Sequence, residues 1–268
     1  MIDTEATLIE RHNVTLTGTG DEALVLISGF GTDQSAWRHV VEAFRDRYRI
    51  VLFDLPGIGP GSQSHYDHAR YHSLDAYAHS VAGLLRALRL GPCICVGHSV
   101  AGMVAALASI RTPEMITRLV LLGSSACYRN TGDYHGGFDA VDIDRLIDEA
   151  TADYIAWTGR YGQMVVSAPA NDPSVREFVA SLRAMRPDMA LSILLNVLNI
   201  DVRPRLAEVS VPAVILQTAH DPAVPQAAAD HLRDHLKGSV LDMLDAAGHL
   251  PHLTAPDLVV GALRRHLR

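Results

Sequence analysis

Residues 93–102, Cys-Ile-Cys-Val-Gly-His-Ser-Val-Ala-Gly, constrain the fold of this chain more than any other stretch. Four residues of strand character, Cys93 to Val96, run into Gly97-His98-Ser99-Val100. A small, apolar helical pattern then begins at once and continues to Ile110. A serine on so abrupt a strand-to-helix turn is held in a strained backbone with its hydroxyl above the end of a sheet, an arrangement known as a nucleophile elbow. Strand and helix backbones nearly touch at such a turn, so its flanking residues must be small. Gly97, Ala101 and Gly102 meet that demand, and the sequence departs from G-x-S-x-G only in carrying Ala101 at the last position.

The rest of the chain reads as the scaffold that an elbow needs. Residues 13–18 alternate apolar and polar side chains, as an antiparallel edge strand does. Residues 23–27 and 49–53 are apolar runs of the kind buried on both faces of a parallel sheet. Between them, residues 35–44 read as a helix with Trp37, Val40, Val41 and Phe44 on one face. A helical pattern over 74–90 leads into the elbow strand, and 118–122 is the next strand. Later come strands at 211–218 and 240–244, with helices at 227–236 and 257–267. Repeated strand–helix units predict an α/β fold, a mostly parallel central sheet with helices on both faces.

Residues 135–203 interrupt this alternation with four helix-like segments and no convincing strand. Asp172-Pro173 opens one of them as cap and first turn, with Val175, Phe178, Val179, Leu182 and Met185 on one face. Pro187 opens another, with Met189, Ile193, Leu194, Val197 and Leu198 apolar. The expected organisation is therefore a core of residues 1–134 and 204–268 with a helical lid, 135–203, over the active serine.

Composition excludes several classes. The 268 residues carry a net charge of −7 without basic blocks, which argues against a nucleic-acid partner. No stretch approaches the uninterrupted apolar length of a membrane span. The acidic start, Met1-Ile2-Asp3-Thr4-Glu5, lacks the layout of a secretory signal, so the cytoplasm is the default compartment. Three cysteines do not make a disulfide framework, and Cys93 and Cys95, two apart on a strand, share one face as small core residues. The 14 histidines are scattered without metal-ligand spacing.

Ser99 needs a base and a carboxylate that orients it. Elbow folds place them in the order Ser, Asp or Glu, His, each on a loop after a strand. Asp221 follows the strand at 211–218 and His249 follows the strand at 240–244, so order and placement both fit. His98, His220 and His252 do not occupy the expected place for the base, and His98 is assigned instead to a pocket wall. Two backbone N–H groups must meet the oxyanion. Val100, directly after the nucleophile, and Phe30, between Gly29 and Gly31 after an early strand, are the candidate donors.

With these residues in view, the chain resembles the α/β-hydrolases of the strigolactone and karrikin receptor group of plants and their bacterial stress-regulator relatives of the RsbQ type. The resemblance is carried by Gly29-Phe30-Gly31-Thr32-Asp33-Gln34-Ser35-Ala36-Trp37, Gly97-His98-Ser99-Val100, Asp133-Tyr134-His135-Gly136-Gly137-Phe138, Met185-Arg186-Pro187-Asp188 and Gly248-His249-Leu250-Pro251-His252-Leu253. It covers nearly the whole chain. It implies a four-helix, V-shaped lid over a deep apolar pocket lined by Phe30, His98, Tyr128, Trp157 and Tyr161. Trp157 and Tyr161 are four apart on a predicted helix and would also fit a core stripe. Two departures stand out: the loop at 55–62 differs from the plant receptors, and Ser28 occupies a place where they often carry histidine.

The expected activity is serine hydrolysis of a small apolar ester, lactone or butenolide enol ether by acyl transfer, a reaction that needs no cofactor or metal. The alternative is a ligand-sensing module of the same fold, with slow or single-turnover hydrolysis and a signalling protein as partner.

Overall fold

Among the described residues seven strands, β1 (Thr15–Thr17), β2 (Ala23–Ile27), β3 (Arg49–Phe53), β4 (Cys93–His98), β5 (Ile116–Leu122), β6 (Ala213–His220) and β7 (Val240–Ala247), form one sheet in the order β1-β3-β2-β4-β5-β6-β7. β1 pairs antiparallel with β3, and every other pairing is parallel. The structure, a computed structural model, describes residues 4–58 and 62–267. Residues 1–3 of the acidic start and 59–61 of the Gly/Pro loop lie outside them.

The strands alternate their apolar side chains between two layers, as a period of two requires. Val25, Val51, Cys95, Leu119 and Ile215 face one core, while Leu24, Leu26, Ile50, Val96, Val120 and Leu216 face the other. Helices cover both faces: α1 (Glu5–Arg11), α2 (Arg38–Phe44), α3 (Leu74–Leu88), α4 (Val100–Arg111), α9 (Gln226–His235), α10 (Pro251–Thr254) and α11 (Pro256–His266). α2 and α11 supply the second core, and α3, α4 and α9 the first. α4 is buried continuously from Val100 to Ser109, which explains its small, apolar composition. Cys93 and Cys95 share a face, their sulfurs 3.9 Å apart, and all three cysteines are free and buried.

Between β5 and β6 stand α5 (Ala140–Ala152), α6 (Tyr154–Val166), α7 (Pro173–Ala184) and α8 (Pro187–Leu198). This four-helix insert packs closely on the core loops. A Cβ on Gly31 would lie 2.8 Å from the Phe178 ring, and one on Gly57 would lie 2.8 Å from Ile193. A bidentate ion pair from Arg38 to Glu177 bridges the same two parts at the surface, at 2.6 and 2.9 Å. Among the described residues no helix is long and apolar enough to cross a membrane.

Several boundaries differ from the sequence expectation. The segment expected as one helix at 35–44 is a 3-10 turn, Gln34–Trp37, followed by α2, because the Asp33 side chain caps the Ser35 N–H and starts the turn early. β7 continues to Ala247, since pairing with β6 resumes at His220↔Ala247. α1 had no apolar periodicity to announce it: only Leu8 and Arg11 of its residues are buried.

Register explains where the functional loops fall. Ile27 pairs with both Phe53 and Gly97, so the loops after β2 and β4 leave the sheet side by side. At the elbow itself, a Cβ on Gly97 would come within 2.6 Å of the Gly102 Cα and N. The neighbouring atoms are backbone and cannot yield. Gly97→Ala is therefore expected to destabilise the fold by about 3 kcal/mol. Gly83→Ala in mid-α3 meets only the flexible Leu8 side chain, at 3.4 Å, and should stabilise by about 0.5–1 kcal/mol. Urea unfolding of the two variants checks both signs.

Candidate active site

The close approach of Gly97 to Gly102 forces the chain to reverse within one residue, and that residue is Ser99. Its backbone sits at φ 56°, ψ −130°, a region that residues with side chains rarely adopt. The conformation is held by the Ser99 N–H donating to Leu122 O at 2.8 Å and by the Gly102 N–H donating to Ser99 O at 3.0 Å. Strain at this position lifts the hydroxyl off the sheet and aims it at the loop after β7.

There it meets His249. The Ser99 Oγ stands 2.8 Å from His249 Nε2, and His249 Nδ1 stands 2.8 Å from Asp221 Oδ2. A carboxylate only accepts, so Nδ1 carries the imidazole proton and Nε2 offers its lone pair to the serine O–H. The other carboxylate oxygen, Oδ1, accepts from the Ala223 and Val224 N–H groups at 2.8 and 3.0 Å. Burial pushes the Asp221 carboxyl up, but His249 and these N–H groups outweigh it and hold the group below the ordinary carboxylate range. The sign for stability follows: a depressed folded value contributes stability above the unfolded pKa, lost as pH falls through the folded one.

His249 is gripped by its main chain as well. Its N–H donates to Val165 O at 2.7 Å, at the end of α6, and its carbonyl accepts from His98 Nε2 at 2.8 Å. Gly248, at φ +91°, is required next to it, since a Cβ there would lie 2.5 Å from Val166 O.

The loop carrying Phe30 lies against the other side of the elbow. A Cβ on Gly29 would sit 2.7 Å from His98 O and 3.0 Å from the Ser99 Cβ. Val100 follows Ser99 as the first residue of α4. The two candidate oxyanion donors thus belong to segments that meet at Ser99.

The cavity in front of Ser99 is lined by Phe30, His98, Tyr128, Tyr161 and His249. Phe138 and Phe178, and Leu194, Val197 and Leu198 of α8, also line it. Sequence reasoning missed these five as wall residues. Phe178 and the α8 residues were legible only as packing stripes, and the Phe138 segment carried no assigned role. Among the described residues, no Asp, Glu, Lys or Arg faces this space.

One expectation from the resemblance needs correction. Trp157 is not in the wall: its ring stacks on Tyr161 with centroids 4.9 Å apart and is 1 % exposed. Side chains four apart on a helix overlie each other, so only the outer ring of the pair reaches the cavity. The free space inside the cavity is small, about 20 Å3, room for about one water. The Tyr128 hydroxyl occupies the approach, donating to Ser99 Oγ at 3.1 Å. Burial pushes the Tyr128 and Tyr161 phenols up, so both keep their protons as donors. Among the described residues no group of three or more His, Cys, Asp or Glu is arranged to hold a metal ion.

Asp221→Asn preserves shape but removes the group that sets the His249 tautomer. Turnover of an ester substrate should fall by about 10^4-fold, the order found when such a carboxylate becomes an amide. The same variant should lose stability less steeply than the parent as pH drops below the carboxylate range, measured by urea unfolding at stepped pH.

Comparison with known proteins gives the family. Residues 24–262 match the Alpha/beta hydrolase family. The chain is 40% identical over 259 residues to Karrikin insensitive 2 receptor CA of Petunia hybrida, covering 96% of each chain. It is 41% identical over 261 residues to Strigolactone esterase D14 of Arabidopsis thaliana, covering 97% of each. Among solved structures, a hydrolase from Oleispira antarctica superposes with a TM-score of 0.94 at 28% identity, covering 99% of this chain and 98% of the other. The chain belongs to the α/β-hydrolase family, related along nearly its whole length to karrikin receptors and strigolactone esterases.

Proposed function

We propose that this serine hydrolase cleaves a small, neutral, largely apolar ester, lactone or butenolide enol ether, with Ser99 as nucleophile, His249 as base and Asp221 as its orienting carboxylate. The observation that carries the reading is the unbroken chain of two 2.8 Å hydrogen bonds from hydroxyl to imidazole to carboxylate. His249 takes the Ser99 proton as the oxygen attacks the substrate carbonyl. The Phe30 and Val100 N–H groups receive the charge that develops on the carbonyl oxygen. His249 then protonates the leaving oxygen, and a water activated by the same imidazole releases the acyl group. Asp221 steadies the transient imidazolium throughout.

The wall supports the substrate class. A neutral, aromatic and aliphatic lining favours an uncharged ligand, since a buried charge without a partner is costly. Attack by Ser99 requires the Tyr128 hydroxyl, 3.1 Å from Ser99 Oγ, to make room for the substrate. The names of the curated relatives, a strigolactone esterase and a karrikin receptor, point to the same small-molecule chemistry. Three free, buried cysteines suit the reducing cytoplasm, which we propose as its compartment.

A second reading is ligand sensing with slow or single-turnover hydrolysis and a signalling protein as partner. The bond from the His249 N–H to Val165 O favours it, since this bond joins the base directly to the insert. Chemistry at Ser99 that shifts His249 would be felt by α6. Multiple turnover of a butenolide with an unchanged melting temperature favours the enzyme; a melting temperature that falls with ligand favours the sensor.

Ser99→Ala should lower p-nitrophenyl acetate turnover by about 10^4-fold or more while leaving the melting temperature within about 2 °C. Retained turnover in a folded Ser99→Ala protein contradicts the assignment.

A further inference from the structure

Behind His249 runs a column of three aromatic rings that the reaction as described leaves unused. The His249 ring lies 4.9 Å from His98, His98 lies 4.4 Å from His252, and His252 stacks on the Trp37 indole at 4.7 Å and 26°. The three rings behind His249 are at most 1 % exposed. They come from three separate elements. Trp37 ends the 3-10 turn that follows the Gly29–Gly31 loop, His98 ends β4, and His252 lies in α10, three residues after His249.

His98 touches both halves of the catalytic apparatus. Its Nε2 lies 2.8 Å from His249 O, and a carbonyl only accepts, so Nε2 carries the proton and donates. On the other edge, a Cβ on Gly29 would sit 3.0 Å from His98 Nδ1, so this edge lies flat against the loop that bears Phe30. Nδ1 itself has no hydrogen-bond partner among the described residues. The ring is thus a rigid spacer between the loop of the base and the loop of the oxyanion donor.

Resting on the catalytic reading above, we propose that His98 is a positioning residue: braced by the His252–Trp37 stack, its imidazole holds the His249 main chain and the Phe30 loop at a fixed separation across Ser99. A flat ring with one edge donor does what neither an aliphatic side chain nor a flexible amine can do in this space. Neutrality is part of the design, because a second imidazolium 4.9 Å from His249 would oppose the charge that His249 gains in the reaction. Burial, reinforced by His249, pushes His98 down to about 3, and burial likewise pushes His252 well down, so both rings are neutral throughout the working range.

The test compares His98→Leu with His98→Gln in the full-length protein, with p-nitrophenyl acetate as the probe. The leucine lacks the donor, so kcat should fall by about 10- to 100-fold with KM within about twofold, the effect of a misplaced reacting group. The glutamine amide can reach the same carbonyl and should restore kcat to within about threefold of the parent. A leucine variant with parental kcat, or one with KM raised and kcat unchanged, overturns the proposal and leaves His98 as pocket wall only. An independent reading comes from the unmodified protein by side-chain 15N NMR. His98 should show a neutral Nε2–H tautomer that exchanges slowly and does not titrate between about pH 8 and 5; an Nδ1–H tautomer or a titration in that window overturns it. Ser99→Ala assayed alongside separates the two levels of the argument. If it keeps turnover, the catalytic reading fails and carries this proposal with it. If it is inactive while His98→Leu behaves as the parent, the positioning role fails alone.

Discussion

The structure around the candidate site depends on how His249 is held. The imidazole accepts a hydrogen bond from the Ser99 hydroxyl on one nitrogen and donates one to Asp221 from the other, each at 2.8 Å. The main chain of the same residue donates to the insert at Val165 O and accepts from His98 at the end of the elbow strand. An imidazole on a loop would ordinarily sample several rotamers and several loop conformations. Four bonds to three separate segments, the elbow, the loop after β6 and α6, remove that freedom before substrate arrives, which is what preorganised acyl transfer requires.

The elbow supplies the other half of the constraint, and its cause is steric. β4 and α4 can meet at one residue only because Gly97 and Gly102 let their backbones touch, and the cost appears as the positive φ of Ser99. The parallel register then sets the partners. β2 ends level with β4, so the Phe30 loop lies against the elbow, while β6 and β7 end where Asp221 and His249 begin. The site is thus a property of where strands end, in keeping with the rule that open parallel sheets bind ligands beyond the carboxyl ends of their strands.

How much of this was legible depends on the distance over which each signal acts. The elbow and the buried strands are written in consecutive residues, so their types and order followed from spacing and apolar runs. Asp221 and His249 were found by chain order at strand ends, a rule that needs no coordinates. Element boundaries were weaker, because pairing partners such as His220 and Ala247 decide them rather than local propensity. The cavity was least legible. Residues such as Phe178 and Leu194 read as ordinary packing stripes, since the same helical period serves core and pocket wall alike. Trp157 and Tyr161 share a face, but which ring stands in front depends on how α6 seats against its neighbours. His98 was read as wall, and its bond to a carbonyl 151 residues away has no trace in local sequence.

We propose Ser99 as the single activated nucleophile. The most direct test is peptide mapping after reaction with a p-nitrophenyl alkylphosphonate, following esterase activity in parallel. One phosphonate per chain, on Ser99, is expected, with activity lost in proportion to the label. Activity that survives full labelling of Ser99, or a label that settles on another residue, would contradict it.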